Sequence, residues 1–441
     1  MKPDARFGLT TLTCVVIASM IGSGVFTTSG FSIAALGSAE RVLVAWCIGG
    51  VVAICGAIAY GELARRLPVS GGEYLYLSRQ LHPFAGFLAG WISLTAGFSG
   101  AIAMAAITFE AYAVPESIRP AWFLPNSVAV ASILIFGFGH AFLVKLFAAI
   151  QNAVVGIKLV ALTTFLIAAA TQISSRQWYW APLEDNLPPA WSMATFTAMA
   201  GSVMWISLSY AGFNAAVYIA SEVKDPEVTV PRSLWLGTIL VTILYIALNA
   251  VFVSAVPASE LAGKPEIAAI AAKAVGGNSM ELLIRCAIGL GTLSSVAGMI
   301  MTGPRVFSRM ADDGVFPAMF RTGPNSISRT VLLQTVIAAS LVMVSNLSEL
   351  LGYLSTTLAI SSAVAVFTLL LPAKRSATEV DRPMSTAVRL CAIIYVASTI
   401  VIAGLMAKNE PADLKATGIT LLLGGILWLF SRGRFLPEKS V

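Results

Sequence analysis

The chain has 441 residues, 57% hydrophobic and 11% charged, against roughly a quarter charged in soluble domains. That balance excludes a large soluble domain and describes a polytopic membrane protein. The formal net charge of +6 does not indicate nucleic acid, because Lys and Arg fall in short loops between apolar segments.

A helix needs about 20 apolar residues to cross the hydrocarbon core. That rule predicts about twelve segments in an all-α membrane protein. They fall near 9–36, 42–66, 84–113, 126–140, 151–173, 194–222, 232–256, 281–310, 330–346, 350–372, 386–407 and 415–431. The first follows Lys2 and Arg6. It has no clear polar break or cleavage region, so it reads as a retained helix rather than a signal peptide. With the N-terminus inside, about 19 Lys and Arg fall on that side and 8 on the other. The positive-inside rule then puts both termini in the cytoplasm of a multi-pass protein. The remaining basic residue, Lys158, lies inside the fifth segment.

Two segments carry interruptions. Gly22-Ser23-Gly24-Val25-Phe26 breaks the first, and Ser209-Tyr210-Ala211-Gly212-Phe213-Asn214 breaks the sixth. Glycine costs roughly 1 kcal/mol in a helix interior. At membrane depth, irregular backbone is tolerated only where protein buries it or where it lines a polar cavity. Broken helices at corresponding points of two halves mark a transporter site. Segments one to five (about 9–173) and six to ten (about 194–372) each begin with a break. With five helices per half, the repeat is inverted, and about 386–431 stands outside it. The chain reads as one transmembrane domain.

Unwinding around Gly22 and Gly24 exposes N–H groups at the start of the second half-helix, where the positive end of the dipole attracts a carboxylate. Ser23 adds a hydroxyl, and a side chain at Gly24 is expected to fill the site. Close packing through small residues is the alternative reading. Near Leu208 and Ser209 the opposite end is offered. Unpaired carbonyls there suit an ammonium group. Together the two breaks describe an α-amino acid.

Lys158 is a functional hypothesis by default, since a charge deep in a span is costly and its protonation switchable. A structural brace is the alternative. Glu110 is expected to reach the interface, Glu62, next to Arg65 and Arg66, to be structural, and His82 and His140 to lie in cytoplasmic loops. Trp205 and Tyr210 flank the second break. The five cysteines form no C-x-x-C pair, so neither a metal site nor a disulfide framework is indicated. Without clustered His, Asp or Glu in the spans, without a His in the membrane, and with Lys158 the only basic candidate for Ser23, enzymatic chemistry is not expected. No cofactor is expected either.

Four blocks resemble the amino acid/polyamine/organocation transporter family over nearly the whole chain. Ile21-Gly22-Ser23-Gly24-Val25-Phe26 is similar to the family's first-helix signature. Tyr60-Gly61-Glu62-Leu63-Ala64, Pro-Val-Ser-Gly-Gly-Glu-Tyr at 68–74 and Gly-Phe-Leu-Ala-Gly-Trp at 86–91 are similar to its second-to-third-helix run. Tyr210-Ala211-Gly212-Phe213-Asn214, with Ser-Glu-Val-Lys-Asp-Pro at 221–226 and Val-Pro-Arg at 230–232, resembles the sixth helix and its loop. The stretch 308–317 resembles the end of helix eight.

The resemblance implies the LeuT-like five-plus-five inverted repeat plus two C-terminal helices. It implies a carboxylate held at Ser23, Gly24 and Val25, and an amine held by carbonyls near Ile21, Leu208, Ser209 and Ala211. Lys158 matches the helix-five lysine that stands in for sodium in proton-linked members. Asn214, where many members are acidic, points to the L-type, neutral branch. Leu208 stands where a gating aromatic is common, which makes Trp205 the candidate gate. Loop 113–125 has no cysteine, so a disulfide-linked heavy chain is not expected. The reading is a sodium-independent secondary transporter of neutral L-amino acids in the cell membrane, an exchanger or proton symporter. A cationic amino-acid or polyamine exchanger and a non-transporting amino-acid sensor remain as alternatives.

Overall fold

The computed structural model of the chain describes residues 7–69, 71–115, 119–120, 122–183, 187–323, 326–372, 384–409 and 411–431. Its main helices, numbered in order, are α1 Leu9–Met20, α2 Gly24–Leu36, α3 Ala39–Arg66, α4 Gly72–Gln80, α5 Pro83–Ala113, α6 Ser127–Ala170, α7 Met193–Tyr210 and α8 Pro226–Ser254. They continue as α9 Ile267–Asp312, α10 Ser326–Val344, α11 Leu347–Phe367, α12 Thr386–Asn409 and α13 Pro411–Ser431. The termini assigned to the cytoplasm, with Lys2, Arg6, Arg432, Arg434 and Lys439, lie outside the described residues. So do the side chains of His140 and Lys145.

Among the described residues, eight helices are long and apolar enough to cross a membrane. The pair α1–α2, bent by 42°, makes a ninth, and Ser127–Gly139, Gly156–Ala170 and Ser328–Val344 are shorter apolar stretches. This is a helical, multi-pass membrane protein. Two expected boundaries differ. The fourth and fifth segments are the apolar ends of one helix, α6, because the residues joining them carry no proline or paired glycines to stop it. The eighth begins at Ile267, well before 281, and bends at Gly276 and Gly277, where Gly277 takes φ +66°.

Local chemistry sets several ends. Gly37 closes α2 at φ +67°, a left-handed conformation that favours glycine. Pro83 starts α5, and the His82 ring accepts from the Phe84 N–H at 3.1 Å. His82 is therefore a helix cap rather than a bare loop residue. Asn346 and Glu349 form a reciprocal capping box on α11. Glu110 is buried and accepts N–H groups of Asn126, Val128 and Ala129 at 2.7, 2.9 and 3.1 Å. It satisfies the orphan donors of α6 and does not reach the interface. Glu62 pairs with Arg65 and Arg66 at 2.7 and 3.0 Å.

Helix α3 packs along α8, α1 along α8, α2 on α7, and α9 along both α5 and α6. One apolar core gathers Trp46, Tyr210 and Tyr245 between α3, α7 and α8. A second gathers Ile102, Ile133, Ile300 and Leu350 between α5, α6, α9 and α11. Helices α12 and α13 are peripheral, with only 22% of their apolar windows buried, against 50–67% for the other six long spans. Before α1, Phe7 pairs in parallel with Val223, donating to the Glu222 carbonyl and accepting from the Lys224 N–H at 3.3 and 3.2 Å.

Candidate functional site

The backbone leaves helical geometry at Ile21 (φ −75°, ψ 75°) and resumes it at Gly24. The Gly22 N–H donates to the Met20 carbonyl at 2.7 Å. Among the described residues, the N–H groups of Ser23, Gly24 and Val25 have no backbone acceptor. Three donors thus point out of the start of α2, where the helix dipole adds positive potential. The Val25 side chain is buried and does not line the cavity described below.

The second break follows Tyr210. Ala211 is extended (φ −56°, ψ 141°), Gly212 takes φ +100°, and a tight 3-10 helix, Ala215–Glu222, resumes the chain. The two breaks interlock. A Cβ at Gly24 would stand 2.5 Å from the Ser209 Oγ and 2.9 Å from its Cα. A Cβ at Gly212 would stand 2.7 Å from the Ser19 carbonyl oxygen. The side of Gly24 that a Cβ would occupy faces Ser209 of α7, so a side chain there presses on that helix, while the residue itself lines the cavity described below. Thr28 and Ser209 share a hydrogen bond at 3.2 Å across the same seam.

Tyr245 of α8, unremarked in the sequence, ties the breaks together. Its buried hydroxyl faces the Met20 carbonyl at 2.6 Å and the Ser209 carbonyl at 3.1 Å. Lys158 is 4% exposed, and its Nζ donates to the Ile21 carbonyl. A Cβ at Gly291 of α9 would lie 3.0 Å from the Lys158 Cδ, so that glycine gives the lysine its channel. Carbonyls expected to take an amine are thus partly engaged: Ile21 by Lys158, Ser209 by Tyr245, Leu208 by the Ala211 N–H at 3.0 Å. Each keeps a second lone pair.

Both breaks open on a cavity of about 1330 Å³. Ile21, Gly22, Ser23, Gly24, Lys158, Leu208, Ser209, Tyr210, Ala211, Gly212 and Asn214 all line it. Trp205, the candidate gate, does not; it packs beside the α5/α9/α11 core because it lies one turn back on α7. Access is one-sided. The lining reaches exposed Arg79, Arg309 and Asp313 at one end, whereas Met104, Ala105, Val203 and Met204 at the other are buried.

No acidic side chain from the breaks themselves lines the cavity. Its acidic lining residues are Asp313, in an ion pair with Arg309 at 3.3 Å, and buried Glu73. In the sequence the stretch around Glu73 stands out only by its family resemblance; the signal for a site there is a glutamate after two glycines and before Tyr74 and Leu75. Among the described residues, no group of three or more His, Cys, Asp or Glu is placed to hold a metal ion. The arrangement suits a zwitterion, with N–H donors for its carboxylate and carbonyls for its ammonium.

Comparison with known proteins gives the same direction. The amino acid permease family model matches residues 7–429. Large neutral amino acids transporter small subunit 2 of Homo sapiens is 27% identical over 322 residues, covering 71% of this chain and 59% of that protein. Asc-type amino acid transporter 1 of Mus musculus is 26% identical over 318 residues, covering 71% of this chain and 59% of that protein. The b(0,+)-type amino acid transporter 1 of Mus musculus is 27% identical over 264 residues, covering 58% and 52%. In these alignments the chain spans 52–59% of the relatives' length.

Proposed function

The chain belongs to the amino acid permease family, and on that premise we propose that it is a secondary transporter of neutral L-amino acids. One observation carries the reading. Among the described residues, the N–H groups of Ser23 and Gly24 have no backbone acceptor and line a cavity to which the broken segments themselves contribute no acidic side chain. The three relatives are all named amino acid transporters, and the name of one, large neutral amino acids transporter small subunit 2, supports a neutral substrate.

Eight long spans, one bent pair and three shorter apolar stretches support a twelve-helix, five-plus-five LeuT-like arrangement. The halves are about 9–173 and 194–372, with 386–431 outside them, in the cell membrane with both termini cytoplasmic. In the state described, the cavity opens on the side of Arg79 and Arg309, which is the cytoplasmic side in that orientation. Alternating access then moves the halves of α1–α2 and of the second broken helix about the site.

Substrate shifts the two access states only by its differential affinity for them. The contact from Lys158 to the broken helix supports a proton-linked or exchange cycle without sodium: loss of its proton weakens the hold of α6 on Ile21. Loop 113–125 lacks cysteine, so no disulfide-linked subunit is proposed, although one relative is named a small subunit.

The test is thermal-shift screening of the twenty amino acids on purified protein, followed by labelled flux into proteoliposomes. A shift with neutral amino acids and matching flux is expected. Stabilisation by arginine or a polyamine alone overturns the substrate class. Binding without flux makes the chain a sensor.

A further inference from the structure

The amine-binding carbonyls lie at the breaks, yet the cavity wall carries a second group suited to an ammonium ion. Glu73, in the first turn of α4, is 7% exposed and lines the cavity. Its Oε1 accepts from the Tyr60 hydroxyl at 2.5 Å and the Ser362 hydroxyl at 2.8 Å, and its Oε2 accepts from the Ser361 hydroxyl at 2.8 Å. All three partners are neutral hydroxyls. Among the described residues Glu73 forms no ion pair.

An ionised carboxylate offers about four lone-pair sites. Among the described residues three are filled, which leaves one on Oε2 without a partner. A buried carboxylate held by hydroxyls but lacking a counter-charge favours a cation that can enter its surroundings. The acidic groups in the lining differ in this respect, because Asp313 is already matched by Arg309 and by the Tyr74 hydroxyl at 3.0 Å. Space is available too: small-molecule sites occupy roughly 300–1,000 Å³, and this cavity holds about 1330 Å³.

We propose that Glu73, cradled by Tyr60, Ser361 and Ser362, is a second station for the substrate's α-ammonium, between the helix breaks and the open mouth. This rests on the transporter reading above. A substrate leaving the breaks exchanges carbonyl partners for the carboxylate before it reaches Arg79 and Arg309. A substrate arriving from the mouth meets the carboxylate first. Its effect is therefore sided: it serves entry and exit through the mouth and adds nothing to capture from the opposite face.

The experiment measures leucine KM on each face of oriented proteoliposomes. Glu73→Gln keeps the shape and removes the charge. It should raise KM on the mouth side about tenfold, the low end for losing a charge-assisted bond, and leave the opposite side unchanged. Glu73→Asp should recover most of that loss.

A wild-type arm uses isoamylamine, which has leucine's ammonium and hydrocarbon but no carboxylate for the N–H groups of α2. It should inhibit leucine flux from the mouth side only. Unchanged mouth-side KM in Glu73→Gln, an equal rise on both faces, or no inhibition by isoamylamine overturns the proposal. Should Glu73→Gln fail to insert, the isoamylamine arm decides alone. Absence of leucine flux in the wild type overturns the transporter reading and this station with it. Leucine flux that fails the sided tests overturns the station alone.

Discussion

Gly24→Ala isolates the contact between the two breaks. The added methyl would stand 2.5 Å from the Ser209 Oγ and 2.9 Å from its Cα, where ordinary contact begins at 3.4 Å. The hydroxyl can rotate away, but the Cα cannot. Helices α2 and α7 must therefore separate by about 0.5 Å at their closest point, in a core packed as tightly as a crystal. Overpacking of this kind costs roughly 1–3 kcal/mol.

If the cost falls on the geometry that aims the Ser23, Gly24 and Val25 N–H groups, affinity drops about five- to 150-fold. The control is Gly22→Ala. Its Cβ would meet nothing nearer than the Met20 carbonyl oxygen at 3.9 Å, so ligand-free stability should stay at the wild-type level. Thermal unfolding without ligand, together with leucine titration, separates the two variants. Wild-type stability and affinity in Gly24→Ala would refute the interlocked-break argument.

Tyr245→Phe removes the hydroxyl shared by the Met20 and Ser209 carbonyls. It should cost about 1–3 kcal/mol of stability by leaving a buried acceptor unpaired, read by chemical denaturation of the purified protein. Lys158→Ala should abolish the pH dependence of transport, and wild-type flux should need no sodium; an unchanged pH–rate profile in the variant leaves Lys158 a brace. Leucinamide should bind roughly ten- to a hundredfold worse than leucine, because it loses the charge-assisted bonds at α2. Equal affinities measured by competition would remove the carboxylate assignment.

The breaks were legible in the sequence because glycine inside apolar runs, a pair in the first and Gly212 in the second, conflicts with helix propensity, a local signal. Lys158 stood out for a comparable reason, as a charge where none is cheap. Their partners were not legible. Tyr245 looks like any aromatic in a span until α8 is laid against both helix ends. Glu110 reads as a span-end carboxylate, since its N–H partners lie across a loop, Asn126 just before the next helix and Val128 and Ala129 in its first turn. Glu73 was hidden by a motif, because its hydroxyl partners come from helices more than ten and nearly three hundred residues away. Trp205, the candidate gate, is partly buried beside the α5/α9/α11 core and outside the cavity lining, a placement set by the phase of α7 that the sequence alone does not give. The bend at Gly276 and Gly277 carries the same glycine signal as the breaks and was missed because the surrounding residues are less apolar.

The pairing of Phe7 with Val223 has a mechanical meaning. It fastens the segment entering α1 to the segment leaving the second broken helix, through two main-chain hydrogen bonds. The two inner half-helices are thus clamped at their outer tips as well as at the breaks, like levers joined at both ends. A push on one reaches the other without passing through any side chain. Ordinary substitutions at position 7 leave that linkage intact, whereas proline there, lacking an N–H, would cut one of its two strands.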